Sequence, residues 1–241
     1  MKRYIFSILT CFLFVFNGLS QANDGMVTDA TIDMDLDGLI NVGDLGNVDI
    51  APGKTIGTPF LDKDWLIGKV YTKKGPIVEN VALNLDLYTN RVLMKRSEGA
   101  VFKLNSSKLK ALEVSPKNDD RTYFFKSIPA DSVEGIYEDK FYEVLYRPDN
   151  LILKSHNKNY KKADFKRAYG SGNTQDEFKN VYKYYVKGED GIYRKITLGK
   201  KSLIKKIGSE KGGLIADYAK KNKFVVLDEN SLLELVNNSL N

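Results

Sequence analysis

The sequence predicts a mainly β protein: an antiparallel meander, as a sandwich, a curved sheet or a partly open barrel, with a short α-helical C-terminal segment. Three observations carry this. Short apolar runs alternate with turn residues through residues 65–199. In one run Val81, Leu83, Leu85 and Leu87 stand at strict two-residue spacing, which places all four on one face of a strand with Asn84 and Asp86 on the other. Beyond residue 199 the spacing becomes helical: Leu232, Leu233, Val236 and Leu240 share a face, and Asp228 stands where a helix N-cap belongs.

In chain order, residues 1–22 have the three parts of a secretory signal peptide. Lys2 and Arg3 come first, Tyr4–Phe16 is apolar, and small residues precede a cut after Ala22. The apolar run is shorter than the roughly 20 residues a span needs. The expectation is export to the periplasm, the outer membrane or the outside, with no transmembrane span in the mature chain. Cys11, the only cysteine, leaves with the signal, so the mature chain has neither disulfides nor cysteine ligands.

Residues 23–64 form an acidic, extended head with nine Asp against two Lys, a net −7, whereas residues 65–241 carry +11. Such a split bears on partners rather than on fold. From Trp65 the strand candidates are Trp65–Tyr71, the alternating run 81–87, Val92–Lys95, Val101–Leu104 and Leu109–Val114. They continue as "RTYFFKS", "KFYEVLY", "LILKSH", "NVYKYYV" and "IYRKITL", with "RPDN" and "KGEDG" as turns. Fourteen Tyr and twelve Phe suit such a sheet. In residues 200–241, Ser202–Ile207, Leu214–Lys221 and Glu229–Leu240 read as short helices.

The segment "GTPFLDKDWLIGKVYTKKG", the alternating "VENVALNLDLYTNRVLMK" and the close "IADYAKKNKFVVLDENSLLELVNNSL" together resemble uncharacterised exported β-rich envelope proteins of Gram-negative bacteria. The resemblance covers roughly residues 57–241. It implies an envelope location and a β-rich body ending in helices, and it supplies no site residues.

In the head, "DMDLDGLINVGD" (residues 33–44) sets oxygen donors at the places a twelve-residue calcium loop uses: Asp33, Asp35, Asp37, the Leu39 carbonyl, Asn41 and Asp44. Gly38 falls at the sharp turn and Ile40 at the apolar position. The loop resembles an EF-hand, the dockerin variant in particular, and implies weak Ca²⁺ binding. Flanking helices and a second copy are missing from the pattern, so a solvated acidic strand or linker stands beside the calcium reading.

A basic, aromatic-interleaved stretch follows His156, with Lys158, Lys161, Lys162, Lys166 and Arg167 set among Tyr160, Phe165 and Tyr169. Cations and rings of this kind can bind single strands of nucleic acid, but export argues against that partner. An anionic glycan, a lipid head group, an acidic face of an envelope protein or the acidic head itself fits better. The plain alternative is a solvated loop between strands.

His156 is the only histidine, which excludes a two-histidine metal site within the chain. No serine lies in a nucleophile-elbow motif. The expectation is therefore a binding or interaction module of the envelope rather than an enzyme. The alternative is a carboxylate-based hydrolase of polysaccharide, for which Asp131, Glu134, Glu138 and Asp139 are candidates; it requires two carboxylates converging in one concave pocket.

Overall fold

The computed structural model describes residues 39–42, 55–116, 121–163, 175–226 and 228–240. Twelve strands form one sheet: β1 (Ile40–Val42), β2 (Thr55–Ile56), β3 (Leu66–Thr72), β4 (Ile77–Asp86), β5 (Arg91–Lys95), β6 (Val101–Leu104), β7 (Leu109–Ser115), β8 (Tyr123–Ile128), β9 (Lys140–Tyr146), β10 (Ile152–Lys161), β11 (Asp176–Lys187) and β12 (Tyr193–Ile196). Three helices follow, α1 (Lys200–Ile207), α2 (Ser209–Lys221) and α3 (Glu229–Leu240). The mainly β fold with a helical C-terminus is as the sequence predicts. None of the helices among the described residues is long and apolar enough to cross a membrane.

The spatial order is β1-β6-β5-β4-β3-β7-β8-β9-β10-β11-β12, with β2 beside β11. Every pairing is antiparallel except that of β2 with β11, so the sheet is mixed rather than a pure antiparallel meander. The connection from Leu104 to Leu109 dictates its curvature. Those residues are five steps apart and reach at most about 18 Å when extended. They join strands four places apart in the order, about 19 Å in a flat sheet. A 3-10 turn at Ser106–Lys108 shortens the reach further. The β3–β7 end must therefore roll, and its concave face encloses a core of Leu66, Val70, Leu83, Met94, Leu112 and Phe125, among others. A second core joins the sheet to the helices, with Ile152, Val186 and Ile196 packed against Leu203, Ile215, Leu232 and Val236.

Val81, Leu83 and Leu85 are buried as their alternation predicts, but Asn84, expected on an outer face, is buried too. The segment after β2 runs over it. Phe60 bridges to Asp86, Leu61 N–H donates to the Leu85 carbonyl at 2.8 Å, and the Asn84 amide donates to the carbonyls of Asp62 and Asp64 at 2.9 and 3.1 Å. Its Oδ1 accepts the Leu85 N–H. Asn84→Ala is expected to cost about 2 kcal/mol, since buried groups losing a partner cost about 1–3 kcal/mol. A urea midpoint unchanged from the parent would show that the covering strand does not depend on this side chain.

Candidate functional site

The sheet parts at one seam. β9 and β10 pair only at Ile152↔Tyr146, Leu153↔Val144 and Lys154↔Glu143. Beyond that point Lys140–Tyr142 pair with β8 and Ser155–Lys161 pair with β11. The β4–β5 turn faces the opening. Its shape comes from Asp86, whose carboxylate accepts the N–H groups of Tyr88 and Thr89 at 3.0 and 2.9 Å and the Thr89 hydroxyl. Asn90 supplies the left-handed residue (φ 55°), and its amide donates to the Asp139 carbonyl at 3.1 Å. The result is a cleft of about 360 Å³, lined by Tyr88, Thr89 and Arg91 from the turn, Phe141 from β9, Ser155 to Asn159 from β10 and Lys183 from β11. Amides, hydroxyls, ammonium groups and rings thus converge there, the chemistry that holds a hydroxylated, anionic ligand.

Beside the cleft-lining Tyr88, Tyr160 and Phe178 complete a cluster of mutually tilted rings, with centroids 5.0, 5.5 and 6.2 Å apart and interplanar angles of 45°, 72° and 57°. Tyr88 and Tyr160 are exposed. The Tyr160 hydroxyl donates to Asp176 at 2.5 Å, and the Asp176 carboxylate also accepts the Ala163 N–H at 2.8 Å. Those two bonds hold the Asp176 carboxyl below its usual range. β2 fixes the far side of β11. Gly57 takes a left-handed φ of 77°, and a Cβ there would lie 2.7 Å from the Phe178 carbonyl, so only glycine lets the strand approach this closely.

Of the cations expected to face an anionic ligand, Lys158 lines the cleft. Burial lowers its pKa, with the Asp62 carboxylate opposing that shift. Lys161 stands opposite Glu177, and Lys162 follows the strand with its charge acting on Asp176. Lys166 and Arg167 lie outside the described residues. The loop alternative does not hold for residues 157–161: they belong to β10, with ten registered pairs to β11 between Ile152↔Val186 and Lys161↔Glu177.

At the vertex of the cleft, where β9 and β10 make their last pair, the structure gathers a charged cluster that no sequence spacing announces. Glu143 and His156 side chains are each 5% exposed, and His156 Nε2 lies 2.6 Å from Glu143 Oε2. The Arg121 guanidinium reaches Glu143 Oε1 at 2.5 Å and Glu229 Oε1 at 3.7 Å. Lys154 Nζ is 2.6 Å from Glu229 Oε2, which also accepts the Tyr184 hydroxyl at 2.8 Å. Burial acts to raise the Glu143 pKa, but the His156 hydrogen bond and charge, with those of Arg121, outweigh it and hold the carboxyl below its usual range. Burial first, and the Glu229 carboxylate second, push the Tyr184 phenol up. Rings of Phe125 and Tyr182 brace the imidazole edge-on at 5.4 and 5.2 Å, and Lys154 lies over Tyr182 at 4.4 Å.

Glu143 and Glu229 line one pocket of about 450 Å³ with Arg121, Arg147 and Phe124. Two carboxylates therefore converge, yet both are ion-paired, and Glu143 is held below its usual range rather than raised toward the protonated acid that glycoside hydrolysis uses. The sequence candidates Asp131, Glu134, Glu138 and Asp139 sit on the exposed β8–β9 connection. Asp139 accepts the Ala130 N–H, and of these four only Glu138 lines the cleft.

Asp33, Asp35, Asp37 and Asp44 of the expected calcium loop lie outside the described residues. Leu39 is buried in the first core, and its carbonyl accepts the Asn105 N–H at 2.7 Å. Asn41 lies in β1, which pairs with β6. No group of three potential metal-binding side chains occurs among the described residues. Comparison with family models, with curated proteins and with solved structures returned no match.

Proposed function

We propose that this chain is an exported envelope protein that binds an anionic glycan in the cleft between β9 and β10, with a sugar face laid on the Tyr88–Tyr160–Phe178 rings. The observation that carries this reading is the cluster of three rings, with Tyr88 and Tyr160 exposed, beside a cleft holding the partly desolvated Lys158. Sugar rings present apolar C–H faces that stack on aromatic rings, and their acidic substituents require cations at fixed places. Arg91 and Lys183 add charge to the same cleft, the basic body draws polyanions from a distance, and the signal-like residues 1–22 support export.

Calorimetric titration with oligogalacturonate, against neutral dextran fragments of equal length, tests the proposal. Lys158→Ala combined with Tyr160→Ala is expected to weaken binding of the acidic oligosaccharide at least tenfold, since a lost charge contact and a lost stacking contact together exceed about 1.4 kcal/mol. Binding should also weaken with added salt. Equal affinity of parent and variant, or equal affinity for dextran, would sink the reading.

A further inference from the structure

We propose that the same cleft carries out β-elimination on a uronate-containing polysaccharide, with His156 as the base and Lys158 as the acid. This rests on the reading of the cleft as an anionic-glycan site, and it goes beyond binding alone.

The geometry begins with strand alternation. His156 and Lys158 are two residues apart on β10, so their side chains leave the same face about 7 Å apart, and both line the cleft. Glu143 sets the state of the imidazole. Its carboxylate lies 2.6 Å from Nε2 and accepts that N–H in the tautomer whose lone pair is on Nδ1, and among the described residues Nδ1 has no hydrogen-bond partner. The His156 hydrogen bond, together with Arg121, keeps Glu143 ionised against its burial. The Phe125 and Tyr182 rings hold the imidazole plane. A buried carboxylate orienting a histidine that lines a ligand cleft is the arrangement general-base chemistry uses.

Elimination suits these groups better than hydrolysis does. Hydrolysis calls for a carboxylic acid carrying a proton, and Glu143 is held as the carboxylate. A uronate instead has a C5 proton that becomes acidic once its carboxylate is neutralised, and Arg91 lines the cleft to do so. In the step, His156 Nδ1 takes the C5 proton. The electron pair forms the C4=C5 double bond, the C4–O bond to the departing sugar breaks, and that oxygen takes a proton from the Lys158 ammonium. Burial makes this ammonium a readier donor than a free lysine. Imidazolium and amine then exchange protons with solvent, so no water, metal, oxidant or reductant is consumed.

The test incubates the full chain with polygalacturonate and, separately, alginate. It follows the ultraviolet absorbance of the unsaturated uronate end alongside new reducing ends, while calorimetry reports binding. The expected result is that both signals rise together with one of the two polymers. His156→Gln should slow the reaction at least about 100-fold, the scale of a lost general base. Lys158→Ala, at a half-buried site, should slow it at least tenfold and guards against a His156 variant that fails to fold. Binding without unsaturated ends overturns the elimination and leaves the binding proposal standing. Reducing ends without the absorbance mean hydrolysis and also overturn it. Lack of binding to either polymer removes both proposals.

Discussion

Replacing Glu143 with alanine is expected to lower folding stability by about 3 kcal/mol, which for a chain of this size moves the melting temperature by roughly 6–12 °C. Truncating one partner of a buried charged cluster is costly because the groups left behind stay desolvated. Here the stranded groups are His156, 5% exposed, and the inner side of Arg121. The lower end of the 3–5 kcal/mol range for such breaks applies because Arg121 is itself 42% exposed and can turn toward water. Glu143→Gln retains an acceptor and the side-chain volume, so it should cost about half as much. A loss under about 1 kcal/mol for the alanine variant would mean that the cluster forms no stabilising unit.

Acid provides a second readout on the same variant. The Glu143 carboxyl titrates below its ordinary value of 4.5 in the folded chain. Its contribution is therefore fully present above that value and fades as the pH falls through the folded pKa. The stability gap between parent and Glu143→Ala should be widest near neutral pH and should narrow through the acid range below about 4.5. A gap that widens in acid would reverse the sign of the argument.

Some of this could be read from the chain and some could not. Alternation at Val81–Leu87 fixed a strand because apolar spacing and burial coincide there. Asn84 departs from the expected outer face because its cover, the stretch around Asp62 and Asp64, lies some twenty residues upstream and carries no period of its own. Residues 157–161, just past the strand candidate "LILKSH", read as solvated loop because charged and amide side chains dominate them. They continue β10 because each residue pairs with β11, and the polar residues just before them meet partners contributed by distant elements. Lys154 finds Glu229 at the first turn of α3, and His156 finds Glu143 on β9. Lys158 could be named from sequence as a ligand-facing cation. The ring cluster beside it could not, since Tyr88 arrives from the β4–β5 turn and Phe178 from β11. Pairings of that kind are set by how the sheet rolls and parts, which local composition does not encode.

Leu232→Ala is expected to be at least as damaging, at about 3–4 kcal/mol, and to destabilise the whole sheet rather than α3 alone. Leu232 is fully buried with Leu235 and Val236, while Leu233 and Leu240, expected on the same face, are only partly covered. Removing a leucine side chain from such a site costs about 2.7–5 kcal/mol, through lost transfer energy and an incompletely closed cavity. Leu233→Ala should cost distinctly less. The damage should spread because α3 is tied to the sheet in two ways. Its apolar face packs in one core with Ile152, Val186 and Ile196, and its first residue, Glu229, pairs with Lys154 and Tyr184. Asp228 caps the helix through the Ser231 N–H at 2.9 Å, which holds Glu229 where those partners can reach it. Ile152 and Lys154 belong to β10, and β10 also borders the cleft. Loosening α3 therefore loosens the strand that carries His156 and Lys158. Calorimetric melting of Leu232→Ala should give one transition at lower temperature, with hydrogen exchange accelerated in β10 and β11. Two separated transitions, with exchange in those strands unchanged, would show that the helices fold as an independent unit and do not brace the cleft.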